Sequence, residues 1–416
     1  MNGGWIIWRK KLHRNLYKTT LGLMLKDKNL LVLSHTYNSF VKDPVEVMAK
    51  DFNRIYVLVR LHPLAELGNI IPLPFFKRRA KYSKRYSIDL TDKPDNVEIF
   101  TVPFFYLPFK NIYLKAGKRH ARKALEVIEK NNLKFDLIHA HFAWSAGYAA
   151  VKIKEKYNKP LVITGHGYDI YKLPLRSERF KNEIVKVFNS ADQVLTVSEK
   201  NNEYLKGMGV KNVKVFPNGY AANIFYYKDK QECCEKLQLP INKKTILTIG
   251  NLEEVKGYEY LIKALEMVRQ KDSNFLCLHI GAGSLEGRLR KMVKEKGLES
   301  HIQFLGRQPH NELVYYFGAS DFFVSSSLAE GNPTVMFESL GCGKPFIGTK
   351  VGGVPEIISS EDYGLLCDSG DEKALAENIL RALDKDWNTE KILSYAEEFS
   401  WENICKNIEG VYKDLL

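Results

Sequence analysis

Short apolar segments alternate with amphipathic, helix-like segments along most of the 416-residue chain. The apolar segments of the first half are Leu30–Leu33, Ile55–Val59, Leu137–His141, Leu161–Thr164, Gln193–Val197 and Val213–Phe216. The second half continues with Thr245–Ile249, Phe275–Ile280, Ile302–Leu305, Asp321–Ser325 and Pro345–Gly348, and then with three closing helical segments. A repeated order of strand and helix is typical of parallel sheets covered by helices. We therefore predict an α/β protein with two Rossmann-like, doubly wound domains that face each other across a cleft.

The boundary between the two domains is predicted near residue 220. Pro217-Asn218-Gly219 is a turn signal, and the polar segment Tyr227–Lys243 is typical of a surface connection with a short helix. The predicted domains are 1–220 and 221–398, with a last helix at 399–416 that packs back on the first domain. Residues 70–120 do not fit the alternation, because apolar, proline-containing segments flank the basic cluster Lys77–Arg85. This part is predicted to be an insertion or a mobile loop.

The net charge of +13 is concentrated in the first half of the chain. Residues 1–190 contain 35 lysines and arginines against 16 aspartates and glutamates, whereas the remainder contains 27 against 33. A basic surface attracts nucleic acid, anionic lipid or an acidic substrate. The sequence contains no recognised nucleic-acid-binding motif, so no nucleic acid is expected as a partner.

Three features predict a cytoplasmic protein. No window approaches eighteen uninterrupted apolar residues, the length of a membrane-spanning helix. The apolar segment Trp5–Trp8 is followed at once by basic residues rather than by the apolar core of a signal peptide. None of the six cysteines forms a C-x-x-C pair, which favours reduced thiols.

The most informative segment is Ser325–Glu338, S-S-S-L-A-E-G-N-P-T-V-M-F-E, which follows a predicted strand and opens a helix. Asn332 is a favourable N-cap residue, and Pro333 suits the first helical position. The amides of Thr334–Met336 are then unpaired at the positive end of the helix dipole, where a phosphate binds well.

Two glutamates flank this predicted helix start. Glu330 lies on the preceding loop, and Glu338 lies about a turn and a half into the helix. A carboxylate at the position of Glu338 can accept hydrogen bonds from ribose hydroxyls. Spacing alone is equally compatible with an ordinary capped helix that carries two solvated glutamates.

The Glu330–Glu338 segment is one of several motifs that follow one another in a fixed order. They are Gly250-Asn251-Leu252 with Lys256-Gly257, Gly281-Ala282-Gly283, Phe304-Leu305-Gly306-Arg307, the Glu330–Glu338 segment, Gly341-Cys342-Gly343-Lys344-Pro345, Val351-Gly352-Gly353-Val354-Pro355-Glu356 and Phe399-Ser400-Trp401. This set resembles the donor-site signature of retaining glycosyltransferases of family 4, which have the GT-B fold. The resemblance extends over nearly all of residues 130–416 and is weaker before them. It implies an acceptor-binding domain at 1–220 and a nucleotide-sugar-binding domain at 221–398.

The resemblance also implies roles for single residues. Glu338 would hold the ribose of the nucleotide, Glu330 would contact the donor sugar near the reacting centre, and Lys256 would neutralise the diphosphate. The other residues implied in donor binding are Gly250, Asn251, Arg307, Gly331, Asn332, Pro333, Thr334 and Val335. Arg307 is equally compatible with a plain surface charge.

A histidine loop is the corresponding feature of the first domain. Thr164-Gly165-His166-Gly167-Tyr168-Asp169 ends a predicted strand and resembles the family's histidine loop. The resemblance implies that His166 contacts the donor sugar and aligns it, so His166, Glu330 and Lys256 are the predicted catalytic residues. His139 and His141 lie on a buried-looking strand end and are interpreted as structural.

The sequence departs from the family pattern at two loops. The family commonly has arginine where this chain has Asn251, so one positive charge at the diphosphate is missing. The loop after the first strand, Ser34–Ser39, lacks the glycines that are frequent there. A third loop, Gly281–Gly283, is not a dinucleotide site, because Glu286 replaces the last glycine of that fingerprint, and a tight turn is the preferred interpretation.

The predicted reaction is transfer of a hexosyl-type sugar from a nucleoside diphosphate to a hydroxyl group, with retention of configuration. It would serve the synthesis of a surface polysaccharide, a glycolipid or another glycoconjugate, with a carbohydrate or lipid-linked acceptor. No cluster of metal ligands is visible in the sequence, so the reaction is predicted to need no metal and no cofactor beyond the nucleotide-sugar donor. A sugar-nucleotide epimerase of GT-B architecture and a non-catalytic protein that binds sugar nucleotides or polysaccharide are the alternatives.

Aromatic and basic side chains of the first half suggest contact with a membrane. They are Trp5, Trp8, Lys77–Arg85 and Phe104–Phe109. Such side chains can rest on an anionic lipid surface, which predicts a location in the cytoplasm or at the inner face of the membrane. A solvated basic surface is the alternative.

Overall fold

A computed structural model of the chain describes residues 25–69, 83–106 and 110–416, and it describes only the backbone of 67–69 and 110–112. The predicted membrane-contact residues Trp5 and Trp8, most of the basic cluster and residues 107–109 lie outside the described residues. The chain forms two compact units. The first comprises the chain up to Val197, Asn201–Phe216 and Cys405–Leu416, and the second comprises Ser198–Lys200 and Pro217–Ile404.

A parallel sheet of seven strands forms the centre of the first unit. The strands are β1 (Asn29–Ser34), β2 (Arg54–Leu61), β3 (Val97–Pro103), β4 (Leu137–His141), β5 (Leu161–Gly165), β6 (Gln193–Thr196) and β7 (Val213–Val215). Their order across the sheet is β3-β2-β1-β4-β5-β6-β7. The order reverses between β1 and β4, and in doubly wound sheets ligands bind beyond the carboxyl ends of the strands at such a point.

Helices cover this sheet. They are α1 (Ser39–Ala49), α2 (Lys84–Ser87), α3 (Lys110–Lys130), α4 (Tyr148–Tyr157), α5 (Glu178–Asn189) and α6 (Glu199–Gly207). All residues of β4 and β5 are buried, as expected for parallel strands with helices on both faces. The core includes Ile138 and Ile163 of these strands together with Trp144 and Phe180.

The second unit repeats the architecture with a parallel sheet of six strands. These are β8 (Lys244–Ile249), β9 (Phe275–Ile280), β10 (Ile302–Phe304), β11 (Phe322–Ser325), β12 (Phe346–Thr349) and β13 (Gly364–Cys367). Their order is β10-β9-β8-β11-β12-β13. The order reverses between β8 and β11, so the loops that follow these two strands are adjacent at the carboxyl edge.

Nine helices are described in the second part of the chain. They are α7 (Lys230–Leu237), α8 (Tyr258–Lys271), α9 (Glu286–Glu295), α10 (Leu313–Ala319), α11 (Thr334–Gly341), α12 (Val354–Ile357), α13 (Glu372–Asp384), α14 (Thr389–Ala396) and α15 (Trp401–Leu415). The N-cap side chains of Asp229, Asp371 and Asn388 accept backbone hydrogen bonds at the starts of α7, α13 and α14. No helix among the described residues is long and apolar enough to cross a membrane.

The prediction of two Rossmann-like α/β units is confirmed, and the main error concerns residues 70–120. That segment contains β3 and the beginning of α3 rather than only an insertion or loop. β3 lies at the edge of the sheet, and its middle residues, including Glu98 and Thr101, are only partly buried. An edge strand tolerates polar residues, so it lacks the apolar run by which the inner strands are recognised. The edge strand β13 escaped prediction as well.

The segment Tyr227–Lys243 is also more than a surface connection. Its helix α7 buries Cys233 and Cys234 against Ala319 in a small separate core. All six cysteines are buried and free thiols. They are therefore structural apolar groups, as the sequence predicts.

Candidate active site

The loop after β8 presses closely on the segment that follows β11. Gly257 ends the turn Glu254–Lys256 with a left-handed φ of +61°, and a Cβ there would lie 2.2 Å from the carbonyl oxygen of Ser326. The Ser326 hydroxyl donates to the carbonyl oxygen of Lys256 at 3.0 Å. Only glycine allows this approach, which brings Lys256 against the residues that precede α11.

An ion pair joins two of the predicted catalytic residues. Nζ of Lys256 lies 2.6 Å from Oε1 of Glu330, and the side chains are 24% and 14% exposed. The Ser327 hydroxyl donates to the same carboxylate oxygen at 2.7 Å. Thr349 in turn donates from Oγ1 to the Ser327 carbonyl at 2.6 Å. Lysine and glutamate are thus held as an ion pair, with Ser327 fixing the carboxylate.

The start of α11 differs in detail from the prediction. The helix begins at Thr334, and Pro333 occupies the N-cap position in an extended conformation, so Asn332 is not the cap. Instead, the Asn332 carbonyl accepts a hydrogen bond from Nδ2 of Asn218 at 2.7 Å, which holds this loop outside the helix. The amide of Met336 donates to the Pro333 carbonyl at 3.1 Å. Two amides, those of Thr334 and Val335, therefore remain without an intrahelical acceptor, rather than the three predicted.

The glycine pair after β12 packs closely against the loop that carries Glu330. Gly352 has a φ of +55°, and a Cβ on it would lie 2.2 Å from the carbonyl oxygen of Glu330. A Cβ on Gly353 would lie 2.8 Å from Nδ2 of Asn332, and its amide donates to the Gly331 carbonyl at 2.8 Å. The two glycines therefore fix the backbone that presents Glu330.

Glu356 has a role that the sequence did not reveal. Its carboxylate accepts hydrogen bonds from the amides of Glu199 at 2.8 Å and Lys200 at 3.1 Å. A carboxylate at the start of α6 accepts hydrogen bonds from amides that have no intrahelical acceptor. Its negative charge also interacts favourably with the positive end of the helix dipole. The last residue of the glycine-pair motif is thus a helix cap supplied from a distant part of the sequence.

Glu338 is a nearly buried carboxylate rather than a solvated one. Its side chain, in the second turn of α11, is 7% exposed, and Oε1 lies 3.4 Å from Nε2 of His310. The His310 ring contacts Phe225 edge-on at 5.0 Å. The alternative of two solvated glutamates is wrong, because neither Glu330 nor Glu338 faces open solvent.

Three glycine-containing loops pack together at the carboxyl ends of β8, β9 and β10. A Cβ on Gly281 would lie 2.0 Å from the Gly250 carbonyl oxygen, and one on Gly283 would lie 2.3 Å from the Leu252 carbonyl oxygen. The Gly281 amide donates to the Gly306 carbonyl at 2.8 Å. This close packing supports the tight-turn interpretation of the glycines at 281 and 283.

The side chains of Asn251 and Arg307 are exposed at these loops. Asn251 lies between Gly250 and the buried Leu252, and its carbonyl accepts from the Glu253 amide at 2.8 Å. Arg307 directly follows Gly306, whose φ is +70°. Their predicted contacts with the diphosphate and the base stay predictions.

His166 lies in the first unit, on the loop that follows β5. Its Nε2 is 3.0 Å from Nδ1 of His141, so one proton is shared between the two rings. The ring also contacts Phe40 at 5.0 Å and Phe142 at 4.7 Å. Burial, followed by the neighbouring His141, lowers the pKa of His166 well below its ordinary value. The imidazole is therefore neutral near pH 7.

Asp169 fixes the conformation of this loop. Its buried carboxylate accepts hydrogen bonds from the amides of Ala143 at 2.7 Å, His166 at 3.1 Å and Gly167 at 3.2 Å. Burial raises the pKa of Asp169, whereas these amide hydrogen bonds oppose the rise. The aspartate thereby ties the histidine loop to the residues that follow β4.

The two histidines interpreted as structural differ in their surroundings. His139 lies between the Tyr412 hydroxyl at 2.6 Å and Thr164 Oγ1 at 2.7 Å, and all three groups are buried. His141 contacts the predicted catalytic His166 directly. Burial lowers the pKa of His141 to about 4, so it too is neutral.

No group of three or more His, Cys, Asp or Glu residues suited to a metal ion occurs among the described residues. The sequence contains one Asp-x-Asp triplet, Asp384-Lys385-Asp386. It lies at the end of α13, and both carboxylate-bearing residues are exposed.

Comparison with protein families gives two matches that follow each other along the chain. Residues 69–223 match the model described as Glycosyltransferase Family 4. Residues 229–399 match the model described as Glycosyl transferases group 1. Together the two matches account for most of the chain.

Two curated relatives illustrate the similarity in sequence. N-acetyl-alpha-D-glucosaminyl L-malate synthase of Bacillus anthracis is 27% identical over 310 residues, which are 71% of this chain and 78% of the relative. D-inositol 3-phosphate glycosyltransferase of Corynebacterium aurimucosum is 24% identical over 390 residues, which are 87% and 90% of the two chains.

Two solved structures illustrate the similarity in fold. Sucrose-phosphate synthase from Thermosynechococcus elongatus superposes with a TM-score of 0.74 at 20% identity, over 93% of this chain and 99% of that one. The Anabaena protein HepE in complex with UDP gives a TM-score of 0.70 at 20% identity, over 94% and 100%. The chain therefore belongs to glycosyltransferase family 4, and its two parallel-sheet units are the Rossmann-like domains of the GT-B fold.

Proposed function

We propose that the chain transfers a sugar from a nucleoside diphosphate to a hydroxyl group of an acceptor, with retention of the anomeric configuration. The observation that carries the proposal is the partly buried Lys256–Glu330 pair beside the start of α11. The Anabaena HepE structures, which have the same fold, are described as complexes with UDP and with UDP-glucose. That likeness supports a nucleotide sugar as donor for this chain.

The donor diphosphate would bind where several positive groups converge. The amides of Thr334 and Val335 and the positive end of α11 favour negative charge. Lys256 would exchange its contact with Glu330 for a phosphate oxygen. As the bond to the sugar breaks, charge accumulates on the departing diphosphate, and a preorganised cation and helix end stabilise that charge.

Glu330 would act on the sugar rather than on the phosphates. Once Lys256 has turned to the diphosphate, the carboxylate keeps its hydrogen bond from Ser327 and can contact the donor sugar. A carboxylate near an oxocarbenium-like centre lowers the energy of the transition state. Glu338 would accept hydrogen bonds from the ribose, with His310 as its neighbour.

His166 would align the donor sugar. Nε2 of its neutral ring shares one proton with His141. The other ring nitrogen, Nδ1, would form a hydrogen bond with a sugar hydroxyl. A group held by Asp169 and two aromatic rings would lose little conformational entropy when the sugar binds.

The reaction is proposed to proceed without a metal ion. Lys256 and the helix start supply positive charge at the leaving group, which is the function a divalent cation would otherwise serve. The missing arginine at Asn251 makes Lys256 the main side-chain cation of this site.

Transfer assays with a panel of nucleoside diphosphate sugars test the proposal. We expect one donor to release its nucleoside diphosphate in the presence of an acceptor, with and without EDTA, and the product to show the donor's anomeric configuration by NMR. Conversion of the sugar without any acceptor would instead identify an epimerase. Binding of nucleotide sugar without turnover of any donor would identify a binding protein.

Contact with an anionic membrane is proposed for the first unit. It has the excess of basic residues, and it would give access to lipid-linked acceptors for glycoconjugate synthesis. Sedimentation with vesicles containing anionic lipid is expected at low salt and not at high salt. Absence of binding at every salt concentration would remove this proposal.

A further inference from the structure

Two guanidinium groups of the first unit meet on one tyrosine, Tyr113 of α3. Arg60, at the end of β2, donates from Nη1 to the Tyr113 hydroxyl at 2.9 Å. Arg176, in a short turn after β5, places its guanidinium carbon 5.6 Å from the centre of the Tyr113 ring. Both arginines are half-buried, so their mutual repulsion is screened less than it would be in bulk water.

Neutral groups orient the two arginines. Arg60 lies 4.9 Å from the centre of the Tyr106 ring and donates to the Ser145 hydroxyl oxygen at 3.3 Å. Arg176 donates from Nη2 to the Tyr168 hydroxyl at 2.8 Å. These rings and hydroxyls help to fix the positions of the two guanidinium groups.

His120 adds a buried polar atom beside the arginines. Its side chain is fully buried, and Nδ1 lies 2.9 Å from Ser145 Oγ. Among the described residues Nε2 has no hydrogen-bond partner. A buried ring nitrogen without a hydrogen-bond partner thus lies close to the charge of Arg60.

These residues lie where a ligand of this fold is expected. The arginine–tyrosine cluster, which we define as Arg60, Tyr113, His120, Ser145 and Arg176, gathers at the carboxyl ends of β2, β4 and β5. Ligands of doubly wound sheets bind beyond this edge. The histidine loop with His166 follows β5 at the same edge of the sheet.

We propose that the arginine–tyrosine cluster binds an anionic group, a phosphate or a carboxylate, on the acceptor of the transfer reaction. The planar fork of a guanidinium group matches two oxygens of either anion, and the Tyr113 hydroxyl can donate to a third. An anion held at this edge would place the acceptor hydroxyl for attack. The identification of the ligand as acceptor rests on the proposed function, whereas anion binding by the cluster does not.

Binding of inorganic phosphate to the full chain, measured by calorimetry at low ionic strength, tests the cluster without any donor. Arg60→Gln and Arg176→Gln are each expected to raise the Kd at least about tenfold. Arg122→Gln, on the exposed side of α3, is the matched control and should leave the Kd unchanged. Phosphate bound at the start of α11 is identified by its loss in Lys256→Ala. Equal binding by the wild type, Arg60→Gln and Arg176→Gln would overturn the proposal.

Acceptor preference tests the second half of the inference. Sugar phosphates and sugar acids are compared with their neutral parent sugars, and the anionic member is expected to have the higher kcat/KM. Arg60→Gln should raise the acceptor KM about tenfold with unchanged donor affinity, and Arg60→Lys should restore part of the loss. Neutral sugars that are used equally well, with no effect of Arg60→Gln, would contradict it. If no nucleotide sugar is consumed but the arginine variants still lose phosphate, the proposed function fails and the anion site stands.

Discussion

Nζ of Lys256 lies 2.6 Å from Oε1 of Glu330, so the cation predicted for the diphosphate and the carboxylate predicted for the sugar form an ion pair. Each side chain shields the charge of the other. If the proposed function is right, an entering diphosphate would compete with Glu330 for the lysine and leave the carboxylate available to the sugar. The pair would then couple binding of the leaving group to release of the sugar-binding carboxylate.

Lys256→Ala is expected to lower kcat by about 100-fold or more, because a preorganised cation at a developing charge contributes on that scale. The matched control is Lys263→Ala. This variant removes a partly exposed lysine of α8 that contacts Glu372. Steady-state kinetics with a fixed donor measure the effect, and thermal unfolding checks that the variant is folded. Wild-type turnover in Lys256→Ala would remove this residue from the mechanism.

Glu338→Gln is expected to weaken nucleotide binding about tenfold or more, since a hydrogen bond to a charged acceptor contributes about 1.5–3 kcal/mol. Calorimetric titration with the nucleoside diphosphate measures the Kd. Glu390→Gln changes an exposed glutamate of α14 and serves as the control. Equal loss in the two variants would point to a general effect of charge rather than to ribose binding.

Gly352→Ala should damage both the stability and the activity. The residue has a left-handed backbone, and the added Cβ would lie 2.2 Å from the Glu330 carbonyl oxygen, so the loop must shift. The expected cost is about 1–3 kcal/mol of unfolding free energy, with a fall in kcat from the displaced Glu330. Gly287→Ala in α9, where a Cβ meets nothing within 4 Å, should leave activity unchanged and be neutral or slightly stabilising. Urea unfolding and kinetics of the two variants decide the matter.

Stability should fall as the solution is acidified, in part because of His279. Burial lowers the pKa of His279 to about 4 in the folded protein, against an ordinary value of 6.5. Between these two values the unfolded chain binds the proton and the folded chain does not, so folding is favoured as pH rises and opposed as pH falls. The contribution is at most about 1.4 kcal/mol per pH unit.

The variant His279→Leu isolates this contribution. Both ring nitrogens of His279 are buried, and the ring contacts Tyr258 and Phe304, so an apolar side chain can pack against the same neighbours. Urea unfolding at pH 5, 6 and 7 should give a flatter pH dependence for His279→Leu than for the wild type. An identical slope in the two proteins would show that His279 does not titrate in this range.

The inner strands could be predicted because the parallel sheets bury them on both faces. Leu137–His141 and Phe275–Ile280 are mostly apolar and fully buried, and their predicted bounds match the structure. Val97–Pro103 could not be recognised in this way, because a strand with one neighbour carries partly exposed polar residues. The beginning of α3 was missed for a different reason, because the prolines and aromatic residues that precede it obscure the start of the helix.

Site residues that belong to a continuous sequence motif could be predicted. Contacts between residues that only the tertiary structure brings together could not. Lys256, Glu330 and Glu338 follow from motif spacing, but the spacing does not show that the first two form an ion pair. Ser327 is one of three consecutive serines, and only the fold selects it as the partner of Glu330. His310 has no sequence signal at all, because only the fold brings the turn before α10 to Glu338.

Binding of a nucleoside diphosphate to the start of α11 is the claim on which the account depends, and calorimetry of the wild type beside Lys256→Ala and Lys263→Ala tests it most directly. The account predicts that one nucleoside diphosphate binds the wild type and Lys263→Ala with equal affinity and binds Lys256→Ala at least about tenfold more weakly. Absence of binding by every nucleoside diphosphate, or equal affinity in all three proteins, would contradict it.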